Sequence, residues 1–237
     1  MKINKLNILI FIIVLSACTF DNKYIITSNE NKVVRVEKNI DSVLIKMIKP
    51  YKDSIENQMN EILCYNLYNL EKGKPQSRIG NFVTDLCLTY AQADICIMNN
   101  GGLRTNISKG YITRGKIYEL MPFENELVIL ELNKNDYIDL LNYIAIRGGE
   151  PFSGIKITIN KNGEIISHSW PVKFESGEKL KVLTSDYLAN GGDNMNFFKS
   201  KYQHRVGIKL RDAIIDYCLK QDTLNIKIDD RIILDEK

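Results

Sequence analysis

The chain opens on a hydrophobic run that no later segment matches. Leu6 to Leu15 is almost entirely apolar, with Lys2 and Lys5 ahead of it and Leu15-Ser16-Ala17-Cys18 closing it. A spanning helix needs roughly 20 apolar residues to cross a hydrocarbon core of about 30 Å, so this run is too short to span. A basic start, a short apolar stretch and small residues before a cysteine have the form of a bacterial lipobox. The expectation is a signal segment over residues 1–18, with Cys18 as the lipid-bearing first residue of the mature chain. A plain secretory signal or an uncleaved anchor is the alternative. Phe20 to Lys32 is polar and reads as a tether. Lys32-Val33-Val34-Arg35-Val36-Glu37 alternates like a strand, so residues 19–40 are expected to hold the tether and a first strand.

Beyond Asp41 the pattern becomes that of a folded domain, expected over residues 41–235. Apolar residues at Val43, Leu44, Met47, Ile48, Ile55, Met59, Ile62 and Leu63 predict helix, and Pro50 predicts a break into two helices. A helix is expected from about Asn81 to Ala91, burying Phe82, Val83, Leu86 and Leu88. Asp94 to Met98 reads as a short buried strand that runs straight into a glycine turn. A turn at Ile112 to Gly115 precedes a short helix ending near Met121. Glu126 to Leu132 is the clearest strand, and Asn133 to Asp136 caps a helix from Tyr137 to about Ala145. Ile155–Ile159 and Ile165–Trp170 flank Lys161-Asn162-Gly163 as a hairpin. Lys179 to Ser185 predicts a strand feeding a second glycine turn. Val206 to Leu219 predicts an amphipathic helix, and Arg231 to Leu234 a closing strand. Strands and helices mix without a regular βαβ beat, which predicts an α+β domain with a mixed, layered sheet rather than a doubly wound α/β fold.

Charge narrows the function classes. The formal net charge of +3 includes Lys2 and Lys5, so the domain itself is closer to neutral. A near-neutral domain argues against nucleic-acid binding through a basic face. No CxxC spacing suggests zinc. Of the four cysteines after Cys18, Cys64 and Cys87 sit in apolar settings that point to buried free thiols; pairing is not legible. The two histidines, His168 and His204, stand in no DxH, HxH or HExxH setting. No GxSxG occurs, and neither of the two Asn-Gly-Gly turns, at residues 100–102 and 190–192, fits GxGxxG or GxxxxGK, so nucleophile-elbow, Rossmann and P-loop readings of those turns fail.

Binding chemistry is better supplied. Asn99-Asn100-Gly101-Gly102-Leu103-Arg104 and Tyr187-Leu188-Ala189-Asn190-Gly191-Gly192-Asp193 each set an amide and a charged group beside bare backbone. Pro122-Phe123-Glu124-Asn125 lies between them. Phe123 and Tyr187 offer faces for a base, Arg104 a fork for phosphate, and Asp193 a carboxylate for ribose hydroxyls.

These motifs, with Gln76-Ser77-Arg78-Ile79-Gly80-Asn81-Phe82-Val83-Thr84-Asp85 and Phe152-Ser153-Gly154, occur in an order that resembles the C-terminal, substrate-recognition domain of the 5′-nucleotidase / UDP-sugar hydrolase family. The likeness runs from about Asp41 to Ile233. It implies that Phe123 and Tyr187 clamp a base, with Tyr standing where Phe is more usual. Asn125 and the Gly154 backbone would recognise the base edge, Asp193 would hold the ribose, and Arg104 and Asn99 would reach the phosphate. The family places arginines just before the Gln76 segment, where Lys72 and Lys74 stand here, so the resemblance implies that Lys74 or Lys72 substitutes; Arg78 lies one position inside the motif.

Family members carry a two-metal phosphoesterase domain ahead of this one, whereas here the lipobox stands almost directly before it, with no positions to match as metal ligands. The resemblance therefore implies the nucleotide-recognition half of a 5′-nucleotidase-type hydrolase. No cofactor is expected on this chain, and divalent metals are expected on a separate metallophosphatase partner. The alternative is a non-catalytic nucleoside- or nucleotide-binding lipoprotein. Either would be tethered to a membrane of the cell envelope through Cys18.

Overall fold

The computed structural model describes residues 42–235. The signal segment, Cys18, the tether and the expected strand at residues 32–37 lie outside them. The chain divides into two units, residues 1–45 and 46–237. The first contributes only Ser42–Ile45 to the described residues, and all the others belong to the second. The elements run in the order α1 (Ser42–Met59), β1 (Ile62–Asn66), α2 (Arg78–Leu88), β2 (Ile95–Ile97), β3 (Gly110–Thr113), α3 (Arg114–Leu120), β4 (Glu126–Leu132), α4 (Lys134–Ile146) and β5 (Phe152–Ser153). After these come β6 (Ile157–Asn160), β7 (Ile165–His168), β8 (Leu180–Ser185), α5 (Asp186–Ala189), β9 (His204–Lys209), α6 (Leu210–Leu219), β10 (Thr223–Leu224) and β11 (Ile232–Asp235).

The fold is α+β, with mixed sheets throughout. A central sheet has the order β5-β2-β8-β4-β9, and two smaller ones run β10-β1-β3 and β11-β6-β7. In the central sheet β2 and β8 are parallel, while β4 is antiparallel to both β8 and β9, and β5 is antiparallel to β2. Side chains alternate across a strand, and this sheet buries both faces. Cys96, Leu127 and Leu183 pack on one side with Phe82, Leu86 and Ile214 from α2 and α6. Ile95, Ile97, Val128, Leu130 and Val182 pack on the other with Tyr137, Leu140, Leu141 and Ile144 from α4 and with Ile157 and Ile159 of the hairpin. Two cores on one sheet make the layers. Cys64, Cys87, Cys96 and Cys218 are free and buried.

Helix starts follow their caps. The Ser77 hydroxyl accepts from the Gly80 N–H at 3.1 Å, so α2 begins three residues before the expected Asn81. Asn133 and Asp136 form a reciprocal capping box that starts α4 at Lys134.

Two expected helices are corrected. α1 passes through Pro50 unbroken, and residues 42–58 are all exposed. Proline removes one backbone donor, and the exposed setting leaves solvent to replace it. The apolar residues after Met59 belong to strand β1, with Leu63 and Cys64 buried but Ile62 exposed. The segment from Val206 likewise begins as β9 and becomes helical only at Leu210. Val206 and Ile208, two apart, pack against the core as strand residues before the helical spacing of Leu210, Ala213, Ile214 and Cys218 takes over.

Candidate functional site

Strand direction builds the site. Because β2 and β8 are parallel, with Ile95 opposite Val182 and Cys96 opposite Leu183, the turns after them emerge at the same sheet edge. Antiparallel β4 places Leu127 opposite Ser185, so the Pro122–Asn125 loop enters at that edge too. Segments nearly ninety residues apart therefore meet. They enclose a cleft of about 280 Å³, lined by Asn99, Gly101, Gly102, Arg104, Phe123, Asn125, Tyr187 and Asp193. Six of the eight residues expected to touch a ligand are gathered there. The volume is near the lower end of ordinary small-molecule sites, which start at roughly 300 Å³.

The two turns are joined directly: Asn99 Nδ2 donates to Asp193 Oδ2 at 2.6 Å, and the Tyr187 hydroxyl donates to Asp193 Oδ1 at 2.9 Å. The Tyr187 ring lies so close over Gly192 that an added Cβ would sit 2.4 Å from it. Only glycine leaves room for the ring. Phe123 is 41% exposed and Tyr187 45% exposed, so each ring keeps a face available to a ligand. The Arg104 guanidinium lies 5.9 Å from the Phe123 ring centroid, within cation–π range, and Nη1 donates to the Gly101 carbonyl at 3.2 Å.

Residues that sequence reasoning passed over brace this edge. Glu150 is buried; its Oε2 accepts from the Asn100 N–H at 2.7 Å and its Oε1 from Arg147 Nε at 2.5 Å. Arg147 in turn packs over the Tyr143 ring, and the Tyr143 hydroxyl donates to the Asp193 carbonyl at 2.9 Å. Burial pushes that hydroxyl up to about 12, so it remains a donor at neutral pH. The chain Asn100–Glu150–Arg147–Tyr143–Asp193–Asn99 thus ties the two turns together from behind. Its sequence signal is the Arg147-Gly148-Gly149-Glu150 run, whose two glycines have positive φ.

The aromatic loop has its own clamp. Buried Arg211 donates to the Met121 and Phe123 carbonyls at 3.4 Å each and pairs with Glu124, which also pairs with Lys209. Hydrogen bonds from Lys209 and then Arg211 hold the Glu124 carboxyl down to about 2, against an ordinary value of 4.5. A depressed folded-state pKa stabilises the fold above the unfolded value and loses that contribution as pH falls through the folded one. Replacing Glu124 by Gln should therefore lower stability at pH 7, with the gap to the unmodified chain closing between about pH 4.5 and 2. Urea unfolding at several pH values checks this; a gap constant with pH would contradict it.

Two expected contacts are corrected. Gly154 lies at the far end of the sheet, because antiparallel β5 sets Ser153 opposite Cys96 and so carries Gly154 toward Asp94 and Ile95. It packs there against backbone, away from the cleft. Lys74 donates to the Arg147 carbonyl and lines a different groove with Pro75 and Gly148. Arg78 lies 5.4 Å from the Tyr68 ring centroid, also outside the cleft. Both histidines make aromatic contacts elsewhere, His168 with Tyr137 and Trp170 and His204 with Tyr202. Among the described residues no group of three or more His, Cys, Asp or Glu side chains is placed to hold a metal ion.

Comparison with known proteins identifies the family and the fold. The chain is 25% identical over 169 residues to a 5′-nucleotidase of Vibrio vulnificus, covering 65% of this chain and 30% of that protein. It is 30% identical over 173 residues to the trifunctional nucleotide phosphoesterase YfkN of Bacillus subtilis, covering 62% of this chain and 12% of that one. The chain therefore spans less than a third of the length of either relative. A solved 5′-nucleotidase precursor from Thermus thermophilus shares the fold, with a TM-score of 0.67 at 24% identity over 80% of this chain and 42% of that one. The sequence profile of the 5′-nucleotidase C-terminal domain matches residues 58–200. That match runs through both glycine turns and the ring-bearing loop between them, over more than half of the sequence, and the chain belongs to the 5′-nucleotidase C-terminal domain family.

Proposed function

We propose that this chain is the nucleotide-recognition half of a 5′-nucleotidase-type phosphomonoester hydrolase and works with a separate metallophosphatase chain. The observation that carries the reading is the convergence of Phe123, Tyr187, Asn125, Asp193, Arg104 and Asn99 on one cleft. The base lies against the faces of Phe123 and Tyr187, with the Asn125 amide at its edge. Asp193 accepts from the ribose hydroxyls, and Arg104 and Asn99 address the phosphate end. The described residues do not fit a two-metal centre, since neither histidine is at the cleft and no ligand cluster forms there. The hydrolytic chemistry is therefore assigned to the partner's divalent metals, and this chain's contribution is to hold the substrate. Fixing a reactant in attack geometry is worth several kcal/mol, up to about 7–11 in the best-oriented cases. The lipobox motif at Leu15–Cys18 supports tethering of the pair at the cell envelope.

Phosphate release from AMP, measured with Mn²⁺ or Zn²⁺, tests this. The chain alone should release none, while adding it to its metallophosphatase should raise kcat/KM at least about tenfold over that enzyme alone. Turnover by the isolated chain would sink the two-chain reading. Saturable nucleoside binding without partner-dependent turnover would point to a binding lipoprotein. In bacterial cells producing the full chain, Cys18→Ser should move it from the membrane to the soluble fraction; no change would remove the anchor.

A further inference from the structure

Every polar atom of Asp193 is engaged. Its N–H donates to the Tyr187 hydroxyl at 3.2 Å, and that same hydroxyl donates back to Oδ1 at 2.9 Å. Asn99 Nδ2 donates to Oδ2 at 2.6 Å, and the Tyr143 hydroxyl donates to the backbone carbonyl at 2.9 Å. The backbone here is left-handed, with φ of 50° at Asp193 and 69° at Asn194. Side chains other than glycine keep such a conformation where their surroundings over-determine it. A turn this heavily braced, ending in an acidic side chain that lines a cleft, is built to present that side chain in one orientation.

What the carboxylate presents depends on its acceptor capacity. An ionised carboxylate offers about four lone-pair sites, two on each oxygen. Tyr187 occupies one site on Oδ1 and Asn99 one on Oδ2, which leaves one acceptor site on each oxygen. Two adjacent acceptors on a group that cannot rotate match two hydroxyls on neighbouring carbons.

We propose that the Tyr187 hydroxyl is a positioning group that sets the Asp193 carboxylate for a vicinal cis-diol, so that the cleft's preference for diol-bearing ligands depends on it. The proposal rests on the nucleoside reading above and assigns Tyr187 two separable roles. Its ring face meets the base, and its hydroxyl orients the acidic side chain six residues on. A phenylalanine would keep the first role and lose the second. Tyr143 supplies the contrast, because its hydroxyl holds only the Asp193 backbone.

The test is calorimetric titration of the full chain with adenosine and with 2′,3′-dideoxyadenosine, which lacks the diol. The unmodified chain should favour adenosine by about tenfold or more, the scale expected for hydrogen bonds to a charged acceptor. In Tyr187→Phe that ratio should fall to about threefold or less, whereas Tyr143→Phe should retain it. Asp193→Asn, which exchanges one acceptor for a donor, should lose the preference as well and serves if Tyr187→Phe does not fold. An undiminished ratio in Tyr187→Phe, or in Asp193→Asn where that variant stands in for it, overturns the proposal. So does an equal collapse in Tyr143→Phe, which would make the hydroxyl a general stiffener of the turn. Equal binding of both ligands by the unmodified chain overturns it too, while leaving the nucleoside reading in place. Binding of neither ligand removes that reading, and the proposal with it.

Discussion

Replacing Phe123 and Tyr187 together by Ala should weaken adenosine binding by at least about 100-fold. Each ring supplies roughly 1–3 kcal/mol when it stacks on a base, as alanine substitution shows for aromatic base-stacking sites. The loss at Tyr187 also frees Asp193 Oδ1 from its only side-chain donor on that turn. Both rings are more than two-fifths exposed, so neither is a core residue whose removal leaves a large cavity. Phe123→Ala alone is the cleaner variant. The loop carrying it is held through its backbone by Arg211, so the fold there does not depend on the ring. Stability of that single variant should stay within about 0.5 kcal/mol of the unmodified chain, while affinity falls about five- to 150-fold. Phe123→Trp, which keeps a stacking face, should bind. Titration calorimetry with a urea-unfolding control reads both quantities. Unchanged affinity in the double variant would remove the base clamp.

The second large effect concerns the fold. Gly154→Ala should destabilise the chain by about 3 kcal/mol or more while leaving the affinity of the folded fraction within about twofold. Gly154 has φ of 93°, and a Cβ there would lie 2.3 Å from the Asp94 carbonyl oxygen and 2.9 Å from Ile95 Cα. A non-glycine residue forced into such backbone costs roughly 1–3 kcal/mol, and overpacking adds about 1–3 more. Neither neighbour can yield easily. The Asp94 N–H donates to the Lys181 carbonyl at 2.9 Å, the Lys181 N–H donates to the Asp94 carboxylate at 2.8 Å, and Ile95 pairs with Val182 in the central sheet. Urea midpoints measure the loss. A stable, folded Gly154→Ala chain that no longer binds nucleoside would restore Gly154 as a ligand contact.

Much of this fold is legible along the chain. β4 coincides with the apolar-rich stretch Glu126–Leu132, and the hairpin of β6 and β7 flanks Lys161-Asn162-Gly163 as its turn chemistry demands. The capping residue Asn133 places α4. Local pattern misleads where two periods overlap. Val206, Ile208 and Leu210 are spaced by two, but the helical spacing beyond Leu210 masks them. Ile62 and Leu63 continue the apolar pattern of the preceding helix, so periodicity alone assigns them to it rather than to β1. The small pairing strands β3, β5 and β10 carry two to four residues each, too few for any period to show.

For the cleft, the residue types are readable and the partners are not. Phe123, Tyr187, Arg104, Asn99, Asn125 and Asp193 stand out locally, as rings, amides and charges beside glycine or in loops. Gly154 carries the same local mark, and only the antiparallel pairing of β5 with β2 shows that it points to the opposite end of the sheet. Glu150, Arg147, Tyr143 and Arg211 leave weak traces, because a buried acid or arginine is recognised by what it touches. The amino-acid order determined the strand and helix periods, the turns that need glycine and the inventory of binding groups, since these depend on neighbours within a few residues. Tertiary structure decided which of those groups share a cleft. Strand direction sets which loops leave the sheet at the same edge, and that is a relation between segments far apart in the chain, which no local pattern records.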